Sequence, residues 1–117
     1  MVVEDEMLIL LMMEDMLADL GCTSIATAGT EMQAIALIEG QTFDAALLDM
    51  NLHGLNSRNV ADALVAKNVP FAFCTGNSFH DVWVGLEDRL VIRKPFTEFE
   101  LADKLNQLLS RQKIAGS

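Results

Sequence analysis

Apolar positions along the chain switch repeatedly between short unbroken runs and a spacing of three and four. "MVV" at residues 1–3 reads as a short first strand. From Glu6 to Leu20, the residues Ile9, Met13, Met16, Leu17 and Leu20 recur at helical spacing, and Gly21 stands where such a helix would end. "CTSIATA" (22–28) carries β-branched residues and predicts a second strand. Thr30 opens a second helix through the capping pair in "TEMQ", and Gly40 closes it. "FDAALLDM" (43–50) predicts the third strand and "SRNVADALVAKN" (57–68) the third helix, with Ser57 as N-cap. "VPFAFCT" (69–75) is the continuous apolar run expected of a strand buried on both faces, with Pro70 at its edge. "GNSFHDVWVGLEDR" (76–89) reads as a short or irregular fourth helix and "LVIRK" (90–94) as the fifth strand. Thr97 starts the last helix with a second capping box, "TEFE", and Phe99, Leu101, Leu105, Leu108 and Leu109 supply its apolar side.

Strands alternating with helices in this way imply an α/β fold, a doubly wound parallel sheet with helices on both faces. Such sheets bind ligands beyond the carboxyl ends of their strands, at the topological switch point.

The totals narrow the class. A chain of 117 residues fits one domain with a real core, and 51% hydrophobic with 21% charged residues fits a soluble protein. The longest apolar stretch, Met7 to Met13, is too short to cross a bilayer. It follows Glu4, Asp5 and Glu6 with no basic leader, so a cytoplasmic protein without membrane insertion is expected. Cys22 and Cys74 show no metal spacing and are expected to be small core residues in a reducing compartment. A net charge of −9 without a Lys/Arg cluster excludes nucleic acid as partner. The tail "RQKIAGS" shows no linker, so one domain over 1–117 with no output domain is expected.

Polar residues sit at the predicted strand ends: Glu4 and Asp5 after the first strand, Asp49 on the third, Thr75 on the fourth, and Lys94 followed by Pro95 on the fifth. Three converging carboxylates repel unless a cation compensates them. Hard oxygen ligands suit Mg²⁺ (or Mn²⁺), whereas His53 and His80 are not placed for zinc. Lys94 and Thr75 can hold the oxygens of a phosphoryl group, and an aspartate beside a metal can be the nucleophile that forms an acyl phosphate. On this reading "AALLDMNLHG" is an apolar post presenting Asp49 to a phosphoryl donor. Pro95 marks a turn or a cis bond.

Four pieces, "VVEDE", "LLDMNLHG", "FCTG" and "IRKPF", occur in order, each at a strand end. Together they resemble the receiver domain of two-component response regulators, over essentially the whole chain. The resemblance implies a flavodoxin-like five-stranded sheet in the order 2-1-3-4-5. It implies that Asp49 accepts a phosphoryl group from the phosphohistidine of a bacterial sensor histidine kinase or a histidine phosphotransfer protein. Mg²⁺ would be held by Glu4, Asp5, Asp49 and the backbone carbonyl of Asn51, with Asp5 the more direct ligand of the acidic pair. Thr75 and Lys94 would bind phosphoryl oxygens, and Gly76 would leave the pocket accessible. The implied protein is a signalling phosphoacceptor rather than an enzyme, with output through phosphorelay or contact with an unknown effector protein.

"VPFAFCTGNS" and "NVADAL" are similar to a stand-alone receiver group with the signature Pro-Phe-x-Phe-Ala-Thr-Gly-Tyr, linked with HWE-type histidine kinases. Here Cys74 replaces the Ala and Asn77 the Tyr. Receivers commonly carry an aromatic three residues before the lysine, where this chain has Val91, and it has no tyrosine at all. A switch pairing the threonine with that aromatic therefore cannot operate unchanged; Phe79 and Trp83 are the candidate substitutes. Met7, Leu10 and Met12 widen the apolar stripe of the first helix, and with Phe96 they mark an expected partner surface.

Other functions on a similar sheet fit less well. A pseudo-receiver that binds partners without phosphate chemistry would lack the acceptor, a metal acid or the lysine, all present here. A haloacid-dehalogenase-like phosphatase wants an acid where Asn51 stands. An FMN binder needs a Ser/Thr/Gly-rich loop where this chain has "EDEM".

Overall fold

A computed structural model describes residues 1–49, 51–52, 55–75 and 90–116, with the backbone alone at 51–52, 55–56 and 110–116. The helix expected over 76–89, and with it Gly76, Asn77, Phe79, His80 and Trp83, lies outside the described residues, as do Met50, His53 and Gly54.

Five strands form one parallel sheet: β1 (Val2–Val3), β2 (Thr27–Ala28), β3 (Ala46–Asp49), β6 (Phe71–Thr75) and β7 (Leu90–Arg93), in the order β2-β1-β3-β6-β7. Counted within the sheet alone this is the order 2-1-3-4-5 of the flavodoxin-like receiver fold. A small antiparallel pair, β4 (Asn51–Leu52) with β5 (Leu55–Asn56), occupies the connection after β3, which the sequence pattern presented only as a loop. Four helices complete the described chain: α1 (Met7–Asp19), α2 (Glu31–Gly40), α3 (Arg58–Ala66) and α4 (Glu98–Gly116).

Successive strand residues point to opposite faces, and the core divides accordingly. Val3, Leu48, Phe71 and Phe73 pack with Ala34 and Ile38 of α2 and with Val60, Ala61 and Leu64 of α3. Val2, Leu47, Ala72 and Ile92 pack with Leu10, Met13 and Leu17 of α1 and with Leu101 and Leu108 of α4. Among the described residues, each face of the sheet thus carries two helices. Phe71 and Phe73, two apart on β6, meet edge to face with centroids 5.3 Å apart.

Helix ends follow local chemistry. Gly21, at φ +97°, ends α1: its N–H donates to Ala18 O at 3.0 Å and the Cys22 N–H donates to Leu17 O at 3.0 Å. Asn68, at φ +57°, ends α3 in the same way, with its N–H on Val65 O and the Val69 N–H on Leu64 O. Thr30 Oγ1 accepts from the Gln33 N–H at 3.1 Å, but Gln33 Oε1 accepts from Gly29 N–H rather than closing the box on Thr30. Thr97 Oγ1 accepts from the Glu100 N–H at 3.1 Å and donates to Glu100 Oε1 at 3.3 Å.

Several sequence expectations are corrected. Strand β2 is two residues, not seven, because its neighbour β1 offers only Val2–Val3; the ladder ends with the Val2 N–H on Ala26 O and the Glu4 N–H on Ala28 O. Ser57 precedes α3 with helical backbone angles and makes no side-chain cap bond. Phe99 is 81% exposed: two residues from Leu101 is roughly 200° around a helix, away from the Leu101–Leu108 stripe. Leu10 is buried beneath the sheet with Met13 and Leu17, so it belongs to the core and not to a partner surface. Cys22 and Cys74 are both free thiols, but only Cys74 is buried.

Candidate functional site

The sheet register levels the strand ends. Val3 pairs with Leu48, so Glu4 follows at the height of Asp49; Asp49 pairs with Cys74, and Thr75 with Arg93. The Lys94 N–H continues the ladder one step further, donating to Thr75 O at 2.8 Å. Apolar strands therefore hold Glu4, Asp49, Thr75 and Lys94 on one edge, and Glu4, Asp49 and Thr75 are buried there. Asp5, between β1 and α1, is half-buried.

One carboxylate oxygen from each of Glu4, Asp5 and Asp49 lies within 4.8 Å of the other two. The Lys94 ammonium reaches into this group, 2.5 Å from Glu4 Oε1 and 3.5 Å from Asp49 Oδ1. The second Glu4 oxygen, Oε2, accepts from the Glu6 N–H at 3.3 Å. Burial disfavours the charge on Lys94, but its hydrogen bond to Glu4 and the charges of Asp49 and Glu4 outweigh that and raise its pKa. Burial pushes the neighbouring Cys74 thiol up to about 12; the Lys94 charge opposes this, while those of Asp49 and Glu4 add to it. Cys74 is therefore a neutral wall of the site and not a reactive thiol.

Three carboxylates against one ammonium leave two negative charges in a compact group of hard oxygens. That donor set fits a divalent cation of the Mg²⁺ type, which takes one or two carboxylates and keeps water in its other positions. Beside it, the Lys94 Nζ is placed as a donor toward any phosphoryl oxygen brought against Asp49.

Of the sequence candidates, the structure brings Glu4, Asp5, Asp49 and Lys94 together, with Thr75 on the adjoining strand end. Asn51 lies two residues beyond Asp49, in β4. The Lys94–Pro95 peptide is cis. On α1, Met7 and Met12 are exposed, and so are Leu8 (78%) and Leu11, which the sequence reading did not single out. A helical wheel anchored on Met13 and Leu17 places Leu8, Leu11 and Met12 on the side away from the buried stripe and Met7 at its flank. Phe96 is half-buried against the α1/α4 core.

The family model of the response regulator receiver domain matches residues 1–106. The chain belongs to this family, whose members are signalling domains of two-component systems that bind Mg²⁺ and partner with histidine kinases or phosphotransfer proteins. Among solved structures it is similar to SdrG from Sphingomonas melonis Fr1, at 45% identity over 92% of each chain with a TM-score of 0.80. The BeF3-activated conformation of SdrG from Pseudomonas melonis Fr1 matches equally, at 45%, 92% of each chain and 0.80. The receiver domain of sensor histidine kinase PA1611 from Pseudomonas aeruginosa PAO1, solved with a magnesium ion in the active site cleft, is 25% identical over 93% of this chain and 94% of that one, TM-score 0.78. No curated protein sequence matches the chain significantly. No described helix is long and apolar enough to cross a membrane.

Proposed function

We propose that the chain is a stand-alone cytoplasmic receiver whose Asp49 takes a phosphoryl group from the phosphohistidine of a sensor histidine kinase, of the HWE type, or from a histidine phosphotransfer protein. The observation that carries this reading is the buried Asp49 carboxylate at the end of an apolar strand, grouped with two further acids and 3.5 Å from the Lys94 ammonium. An Asp49 oxygen attacks phosphorus in line with the P–N bond; that bond breaks, the imidazole leaves with its electron pair and takes up a proton, and Asp49 becomes an acyl phosphate. Glu4, Asp5 and Asp49, with the backbone carbonyl of Asn51, would hold the divalent cation, Asp5 as the more direct ligand of the acidic pair. Bound there, Mg²⁺ or Mn²⁺ neutralises charge on the phosphoryl oxygens. Lys94 and Thr75 receive the other oxygens. The BeF3-activated conformation of the 45% identical SdrG supports this chemistry, and the magnesium of the PA1611 receiver supports the metal.

The exposed Met7, Leu8, Leu11 and Met12 of α1 form the face that meets the phosphodonor, and output runs through phosphorelay or contact with an effector protein. Incubation with autophosphorylated HWE-type kinases tests the reading. Transfer of label to the wild-type chain and none to Asp49→Asn is expected; label on both would overturn it.

A further inference from the structure

We propose that the slot between residues 22–26 and 43–45, in line with the start of β1, is a strand-acceptor site for the C-terminal end of an extended apolar peptide. It lies at the amino ends of the strands, at the opposite end of the sheet from Asp49, and does not depend on the phosphoacceptor reading.

The sequence pattern predicts a strand over 22–28, yet only Thr27–Ala28 pairs, with Val2–Val3. The register shows which groups this leaves. Val2 lies opposite Thr27 on one side and Leu47 on the other. Counting back, Met1 falls opposite 26 and 46, and three further positions would fall opposite 25 and 45, 24 and 44, and 23 and 43. Hydrogen bonds alternate between the two sides. The Met1 nitrogen donates to Ala45 O and Met1 O accepts from the Leu47 N–H, both at 2.9 Å, whereas the Val2 N–H donates to Ala26 O at 2.9 Å. Continued upward, the same alternation aims the Ala26 N–H and Ser24 C=O into the slot from one wall, and the Ala45 N–H and Phe43 C=O from the other. Among the described residues none of these four backbone groups has a hydrogen-bond partner. Facing rows of unpaired donors and acceptors at strand spacing are what an added strand satisfies. The cavity between them measures about 360 Å³, room for such a segment of three residues.

Alternation also sets the side chains. Val2 faces α1 and α4, so the peptide's last residue and the one two before it face that side, onto Leu17, Cys22, Leu105 and Leu109. Apolar residues are selected at both. A parallel strand here points its C-terminus at Met1. Its carboxylate accepts from the Ala26 N–H and meets the half-buried Met1 ammonium. Burial pulls the pKa of that ammonium below its ordinary 8.0 and Asp44 opposes the shift, so an added carboxylate acts in the same sense as Asp44.

The probe is N-acetyl-Leu-Ala-Val with a free carboxylate, titrated into the isotope-labelled protein and followed by NMR. Expected is binding on the order of 1 mM, with shifted and exchange-protected amides at Ala26 and Ala45. The C-terminal amide of the same peptide binds about tenfold more weakly. A peptide N-methylated at its alanine, which cannot donate to Phe43 O, does not bind. A chain lengthened by Leu-Ala-Val ahead of Met1 fills the slot itself and no longer takes the peptide. Ala26 and Ala45 amides unchanged at about 10 mM peptide overturn the inference. So do equal binding of the N-methylated form and undiminished binding by the lengthened chain. Adduct formation from acetyl phosphate, read on the same samples, reports separately on the receiver reading.

Discussion

Asp49 and Cys74 are register partners across β3 and β6, so a buried thiol adjoins the proposed acceptor carboxylate. Burial holds that thiol protonated up to about pH 12, against its ordinary 9.0. The native state then binds a proton that the unfolded chain releases above pH 9, so stability falls between about pH 9 and 12 as the unfolded thiolate forms. Lys94 adds a loss of the same sign at higher pH, because its raised pKa makes the folded state the better proton binder. Cys74→Ala is expected to flatten the part of the alkaline decline that begins near pH 9, measured by urea unfolding across pH 7–11. An unchanged profile would remove the thiol from the account.

The same burial predicts selective thiol chemistry. At pH 8 in native buffer, iodoacetamide is expected to modify the half-buried Cys22 and leave Cys74 unmodified until denaturant is added. Peptide mapping of the alkylated protein reads this directly, and equal labelling of both would contradict it.

Asn68 ends α3 in the left-handed region at φ +57°. Asparagine tolerates that conformation, glycine adopts it freely and a β-branched residue does not. Asn68→Gly is expected to be neutral or slightly stabilising, and Asn68→Val to cost about 1–2 kcal/mol in chemical denaturation. Similar losses from both would mean that the Asn68 side chain, not its backbone, matters.

If the exposed apolar face of α1 meets the phosphodonor protein, charge placed there separates docking from chemistry. Leu8→Glu and Met12→Glu are expected to slow transfer from a histidine kinase at least tenfold by spoiling an apolar contact. Adduct formation from the small donor acetyl phosphate should be unaffected. An equal loss with both donors would place the damage in the site or the fold instead.

The alternation of elements and the ends of α1 at Glu6 and Gly21 were legible in the sequence because each rests on local signals, namely period and a glycine; the sheet order was legible only through the family resemblance. Strand-end placement of Glu4, Asp49, Thr75 and Lys94 was legible for a related reason: an apolar run that stops at a polar residue shows where a buried strand emerges. What the sequence withheld depends on three dimensions. In "MLILLMM" no polar residue sets the phase, so Leu10 read as surface while Leu8 and Leu11 went unnoticed. Phe99 read as core because it precedes an apolar stripe it does not share. Asn68 looked like a last helical residue, since a left-handed cap at a non-glycine leaves little trace in pattern. The grip of Glu4 on Lys94, residues 90 apart in the chain, follows only from side-chain reach across the sheet edge.

The most direct test of the central claim is intact-protein mass spectrometry after incubation with acetyl phosphate, with and without Mg²⁺, on wild type and Asp49→Asn. A single phosphoryl adduct on the wild type, base-labile, dependent on Mg²⁺ and missing from Asp49→Asn, is the predicted result. An adduct that persists in Asp49→Asn, or that forms equally well without a divalent cation, would contradict the assignment of Asp49 as a metal-assisted phosphoacceptor.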